Sequence, residues 1–207
     1  VEFGLISRRL APLTLDNLAA LPAPCATCTF WETLGRVEPA GEEALARKES
    51  WLSATLLEWG SCGTVVLIDG EVVGYAVYAP PHLVPRIGGF ATAPLAPDAV
   101  ALTAIRVAPD HQGGGLGRFL VQGMARDLTR RGVRAVETVA AEPGGPDCLV
   151  PVGFLLAVGF KTVRTHPRTP RLRLDLRSAI SWREELVEAT IGRLRVQRPV
   201  GAYRSVN

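Results

Sequence analysis

Residues 101–118, ALTAIRVAPDHQGGGLGR, join an apolar β-type run to a glycine cluster that opens directly into an amphipathic segment. The run breaks at Pro109-Asp110, and Gly113, Gly114, Gly115 and Gly117 follow. Glycine lets the backbone approach a ligand closely, and the first amides of a helix point outward from its positive end. The stretch therefore reads as a strand, an anion-binding loop and a helix, with room for a diphosphate. It is not a Walker loop, because Arg118-Phe119 stands where a lysine and a hydroxyl residue would follow the last glycine. Nor is it a dinucleotide fingerprint, since after Gly115-Leu116-Gly117 the next expected glycine is Leu120. A plain strand-to-helix turn also uses glycine, but here the continuation is a well-marked helix. Leu116, Phe119, Leu120, Met124 and Leu128 recur at helical spacing, and Arg126, Arg130 and Arg131 gather before Gly132. Cations in a last turn and a glycine after it suit a helix C-terminus.

The 207 residues are 47% hydrophobic, enough to bury the core of one domain. No apolar run approaches the roughly 20 residues that span a bilayer. VEFGLISRRL holds too short an apolar stretch for a secretory leader, so the expected location is the cytoplasm. The net charge of +3 is almost wholly arginine, with Lys48 and Lys161 the only lysines, and its basic residues are scattered among acids rather than gathered in a tract. That pattern speaks against nucleic acid as a partner. Cys25-Ala-Thr-Cys28 has the spacing of half a zinc site or of a redox pair, but no second paired cluster follows. With Cys62 single and Cys148 distant, the four cysteines read as ordinary buried thiols, and no metal is expected.

Outward from the glycine loop, a strand is expected at about residues 3–8, and Thr14-Leu15-Asp16 offers a cap for a first helix. Leu45, Leu52, Leu56 and Trp59 mark a second helix from Glu42 to Trp59, stopped by Gly60. Asp69-Gly70 joins two β-rich runs, Thr64 to Ile68 and Glu71 to Ala79, into a hairpin. A proline- and glycine-rich link over residues 80–98 is long for a structureless connection, and such links are often functional; it is expected to cover an acceptor pocket. After the glycine-loop helix, Val133 to Ala141 reads as a strand. VPVGFLLAVGFKTVRTH reads as a helix running into a strand, and RLRLDLR as a half-exposed strand. Ser181-Trp182-Arg183-Glu184 fits a capping box before a last helix.

Gln112, Gly115 and Gly117 fill the pattern Gln-x-x-Gly-x-Gly after a strand ending Arg106-Val107-Ala108-Pro109. This resembles the acyl-CoA pyrophosphate loop of the GNAT superfamily of N-acetyltransferases. Phe154 to Lys161 likewise resembles the family segment ending in Leu-Gly-Phe, and the element order matches along roughly residues 3–176. The resemblance implies a GNAT-like α/β (α+β) fold, a mixed, mostly antiparallel central sheet flanked by helices. The acetyltransferase domain would span 1–177, with a helix and tail at 178–207 that could cover a sheet edge or pair two chains as a homodimer. It also implies acetyl-CoA as cosubstrate, its pyrophosphate held by Gln112, Gly113, Gly114, Gly115, Leu116, Gly117 and Arg118, and its pantetheine and thioester by the backbone at Ile105, Arg106 and Val107, where the strand would splay from its neighbour.

The usual catalytic groups are missing. Leu155 stands where the family often carries the tyrosine that protonates the departing thiolate, and leucine cannot donate a proton. Cys148 occupies a position often held by a cofactor-touching asparagine and is a weak candidate donor. Thr103 and Ala104 stand where some members have a glutamate base. An alkyl amine of pKa near ~10.4 must lose a proton before attack, and the candidates are Glu32 first, then Glu137, with His82 and His111 behind. The implied activity is acetyl transfer to a primary amine, either a protein lysine or N-terminus or a small molecule, by direct attack in a ternary complex. The alternative is an acyl-CoA-binding regulatory module that has lost turnover.

Overall fold

The hairpin sets the frame. Asp69 and Gly70 reverse the chain at φ +50° and +93°, the left-handed conformations that a tight Asp-Gly loop supplies. They join β2 (Gly63–Ile68) to β3 (Glu71–Ala79). The computed structural model describes residues 7–35, 37 and 39–176. On one side of the hairpin β1 (Arg8–Pro12) pairs antiparallel with β2, and on the other β4 (Ala99–Val107) pairs antiparallel with β3. Between β1 and β2 run α1 (Leu15–Leu18) and α2 (Glu42–Trp59), and after β4 comes α3 (Leu116–Arg130). The chain then forms β5 (Ala135–Ala141), the two-residue β6 (Val150–Pro151), α4 (Val152–Ala157), β7 (Lys161–Arg164) and β8 (Arg171–Asp175). The strands lie in the order β1-β2-β3-β4-β5-β8-β7, with β6 beside β5. Only β4 with β5 and β5 with β6 run parallel. This is the mixed, mostly antiparallel sheet flanked by helices that the element order implied.

Strand alternation divides the core. Val65, Leu67, Tyr75 and Val77 meet Leu13, Leu18 and Leu52 on the α1 and α2 face. Val66, Ala76 and Tyr78 turn to the opposite face, where Leu116, Leu120, Met124 and Leu128 of α3 pack. On that face the Tyr78 hydroxyl donates to Asp127 at 2.9 Å and lies 3.1 Å from the Thr64 hydroxyl. α2 stops where expected, with Gly60 at φ +77° and its N–H bonded to the Leu56 carbonyl at 2.8 Å.

Three expectations change. Among the described residues the first strand is Arg8–Pro12, running on past residue 8 because its register with Thr64–Ile68 carries Leu10 and Ala11 onto β2; residues 1–6, which hold most of the strand expected at 3–8, fall outside the described residues. Pro12 is tolerated there because β1 is an edge strand. β5 begins at Ala135, two residues later than Val133. The 80–98 link is not structureless. It forms 3-10 turns at Pro81–Leu83 and Pro85–Gly89 and buries Val84, Ile87 and Leu95 against Trp31, Ala101 and Val139. The helix expected from Ser181 and the proposed tail at 178–207 lie outside the described residues.

Leu120 is fully buried at the centre of the α3 face. Leu120→Ala is expected to lower stability by about 2–5 kcal/mol, measured by denaturant unfolding.

Candidate active site

β4 and β5 pair for only three residues, Ala99 to Ala101 against Ala135 to Glu137. Beyond that point β4 stays with β3 as far as Val107, while β5 continues to Ala141 beside β6. The two central strands thus diverge, and alternate residues of Leu102–Val107 turn N–H and C=O groups toward an edge with no described strand partner. A cavity of about 1000 Å³ opens there, at the upper end of the size range of small-molecule and cofactor sites. Ile105, Arg106 and Val107 line one side, and Ala141 through Asp147, with Leu149, line the other.

The glycine loop lies against this opening. Of the residues expected around a cofactor, Gln112, Gly113, Gly115, Leu116, Gly117 and Arg118 line the cavity together with Ile105, Arg106 and Val107, whereas Gly114 does not. Gly113 and Gly115 sit at φ +80° and +78°, conformations that side-chain-bearing residues adopt at a cost, and Gly115 is the N-cap of α3. A Cβ on Gly117 would stand 2.8 Å from the Phe154 ring, so this glycine lets α4 close against the start of α3. The polar side chains of the motif are already engaged. Gln112 Nε2 donates to the Val107 carbonyl at 2.9 Å, fastening the loop to the end of β4, and Arg118 Nη2 donates to Ala157 O at 2.9 Å, closing the end of α4. The loop therefore offers backbone amides and a helix N-terminus to an anion. His111 also lines the cavity, and its Nδ1 is buried with no hydrogen-bond partner among the described residues.

None of the three expected catalytic side chains lines the cavity. Glu32 is buried, with Oε1 2.6 Å from Lys48 Nζ, and the same ammonium donates to Cys28 O at 3.0 Å. Burial and pairing turn this carboxylate into a fastener between α2 and the irregular segment before it. Glu137 accepts from Arg173 at 3.2 Å and from the Ala96 N–H at 3.0 Å, with Arg171 3.5 Å away. Arg173 also grips both oxygens of Asp98 at 2.9 Å, holding that carboxyl below the usual range. Glu137 and Asp98 thus pin the end of the 80–98 link to the sheet, and no residue of the link lines the cavity. Cys148 lies between two lining residues, and its sulfur is 3.9 Å from Cys28 Sγ. His82 pairs with Glu58 at the surface, Leu155 is fully buried, and Thr103 donates to Val77 O. Cys25, Cys28 and Cys148 are half-buried rather than buried, which corrects the reading of them as core thiols; Cys62 alone is buried. Among the described residues no cluster is suited to a metal ion, and no helix is long and apolar enough to cross a membrane.

The carboxylates that do line the cavity, Glu142 and Asp147, were not singled out from sequence. Their signal is Pro143-Gly144-Gly145-Pro146, a tight loop directly after β5. Gly144 has φ +78°, and a Cβ on Gly145 would stand 2.8 Å from the Glu142 carbonyl oxygen.

The model of the acetyltransferase (GNAT) family matches residues 26–145, more than half of the chain, so the protein belongs to that family. Solved structures share its fold. An N-acetyltransferase from Staphylococcus aureus Mu50 superposes with a TM-score of 0.54 at 13% identity, covering 82% of this chain and 99% of that one. The paiA N-acetyltransferase of Thermoplasma acidophilum, in complex with coenzyme A, gives 0.53 at 12%, covering 82% and 99%. The Escherichia coli GNAT family N-acetyltransferase YhbS, in complex with CoA, gives 0.50 at 18%, covering 85% of each chain. No curated protein matches the sequence.

Removing the charge of Glu32 leaves Lys48 buried without its ion partner. Glu32→Gln is expected to cost about 3–5 kcal/mol in denaturant unfolding, and a kcat loss with unchanged stability would instead make Glu32 a base.

Proposed function

We propose that the protein transfers an acetyl group from acetyl-CoA to a primary amine by direct attack in a ternary complex. The acceptor is a protein lysine, a protein N-terminus or a small-molecule amine. The observation that carries this reading is the divergence of β4 from β5 with the glycine loop at its mouth, in a chain that belongs to the GNAT family. CoA binding by structural neighbours with the same fold supports it, since two of them were solved in complex with CoA.

In this reading the pyrophosphate rests on the amides of Gly113 to Arg118, where the positive end of α3 stabilises its charge. The pantetheine runs along the unpaired edge of β4, adding hydrogen bonds where a strand would otherwise sit. A backbone N–H near Ile105 to Val107 polarises the thioester oxygen as the tetrahedral intermediate forms. The amine nitrogen attacks the carbonyl carbon, the C–S bond breaks and CoA leaves as thiolate. Positioning supplies much of the acceleration, and a thioester already has a good leaving group. Glu142 and Asp147 face the cavity and are the carboxylates placed to receive the amine's proton directly or through water. Glu32, Glu137 and Cys148 act by holding the walls.

Initial rates of CoA release, measured across a panel of amines and lysine-bearing peptides at varied acetyl-CoA, test this. Double-reciprocal lines that intersect are expected, whereas parallel lines would indicate an acyl-enzyme. Acetyl-CoA binding without amine-dependent release above background would favour the regulatory binding module, a reading that the buried Leu155 at the usual acid position motivates.

A further inference from the structure

We infer that Cys28 and Cys148 form an oxidisable thiol pair, a site at which a peroxide makes a reversible disulfide between the α1–α2 segment and the loop after β5. The residues are 120 apart in sequence, yet their sulfurs lie 3.9 Å apart and neither is fully buried. A disulfide needs an S–S separation of about 2.05 Å, so the sulfurs must approach by about 2 Å, within reach of side-chain rotation and a small loop movement.

Each thiol is held by its own fixed cation. Lys48 of α2 donates to the Cys28 carbonyl at 3.0 Å and is itself locked by Glu32, which sets the backbone carrying Cys28. Arg106 of β4 donates to the Asp147 carbonyl at 3.0 Å, which sets the residue before Cys148. The two sulfurs therefore meet because two buried or strand-anchored positive charges hold their segments, and not through one flexible loop.

The electrostatics make the partners unequal. When Cys28 is ionised the Cys148 thiol is the donor of the pair, which lowers the Cys28 pKa to about 6, against the opposing effect of burial, with smaller help from the Phe30 N–H and Lys48 and a small opposing effect from Glu32. Cys148 is pushed upward for the converse reason, with burial, Cys28 and Cys25 adding to the rise and Arg106 opposing it. The Tyr75 hydroxyl completes the charged and titratable groups facing the pair, and it too is held neutral by burial. Cys28, whose own carbonyl holds the Lys48 ammonium, is the attacking thiolate of the proposal and Cys148 the resolving thiol.

The chemistry balances with hydrogen peroxide as oxidant. Cys28 thiolate attacks one peroxide oxygen, an S–O bond forms, the O–O bond breaks, and the departing hydroxide takes a proton to leave as water. Cys148 sulfur then attacks the Cys28 sulfenic sulfur, the S–S bond forms, and the expelled hydroxide takes the Cys148 proton to leave as a second water. Two thiols are oxidised and one peroxide is reduced, and a dithiol reverses the product. The bridge joins Cys28 to a wall of the cavity, because Asp147 and Leu149 on either side of Cys148 line it. This site does not depend on the acetyl-transfer reading.

The test treats the reduced full chain with hydrogen peroxide, blocks remaining thiols and maps peptides by mass spectrometry before and after dithiothreitol. A dithiothreitol-sensitive peptide linking Cys28 to Cys148 is expected, with free thiols counted after denaturation falling from four to two. Cys25→Ser should retain the link, and Cys148→Ser should leave Cys28 as a trapped sulfenic acid. A Cys25–Cys28 link, or oxidation of single residues with no link, would overturn the assignment. In the unoxidised protein, half-maximal alkylation of Cys28 by iodoacetamide is expected near pH 6, moving up toward the ordinary thiol range in Cys148→Ala. An unmoved midpoint would remove Cys148 as the group that activates Cys28.

Discussion

The separation of β4 from β5 after three paired residues is the constraint around which the rest of the structure is arranged. A buried strand edge without hydrogen-bond partners is costly, because each unpaired N–H and C=O forfeits its bond to water. Here the edge of Leu102–Val107 is kept open by the elements on either side. β3 holds β4 through Ala76, Tyr75 and Gly74, opposite Ile105, Arg106 and Val107. β6 and the loop after β5 occupy the other side. An extended thiol-bearing ligand with amide groups can satisfy such an edge as a missing strand would, and the glycine loop, with the N-terminus of α3, lines one end of the same slot. Geometry and hydrogen-bond demand thus point to the same ligand shape.

Charge in this molecule is spent largely on fastening. Lys48 with Glu32, and Arg173 with Asp98 and Glu137, fix the two long connections around the sheet. These arrangements stabilise the segments that frame the slot, and they leave the slot itself furnished mostly with backbone groups, Arg106, His111 and the carboxylates of the loop after β5. An acyl-transfer site can work with such modest equipment because the thioester is already activated and the main requirement is placement. The same fastening sets Cys28 against Cys148, so one construction serves both the slot and the thiol pair.

What was legible in sequence follows from how local each signal is. Asp69-Gly70, the apolar spacing of Leu116 to Leu128, and the glycines at 113, 115 and 117 encode their own geometry within a few residues, and hairpin, helix and loop all lie at those places. The pairing of the carboxylates is not legible in sequence, because a side chain's partners can lie far along the chain. Glu32 meets a lysine 16 residues away, and Glu137 meets an arginine 36 residues away. Cys28 and Cys148 carry no mutual signal in sequence for the same reason, at a separation of 120. The register of the first described strand is set by β2 through Arg8 to Pro12, a pairing that no local signal near the start of the sequence encodes. The 80–98 link looked like a functional loop because prolines and glycines mask the spacing of Val84, Ile87 and Leu95, which packing reveals as core.

A calorimetric titration of the purified protein with acetyl-CoA, with ATP as control, decides whether the slot between β4 and β5 takes an acyl-CoA. The slot and glycine loop should bind acetyl-CoA with micromolar affinity and ATP far more weakly, since ATP lacks the pantetheine that completes the edge of β4. Equal affinity for the two would make the glycine loop a general phosphate site and leave the open strand edge without a purpose. Binding of neither would mean that the slot and the glycine loop are not an acyl-CoA site.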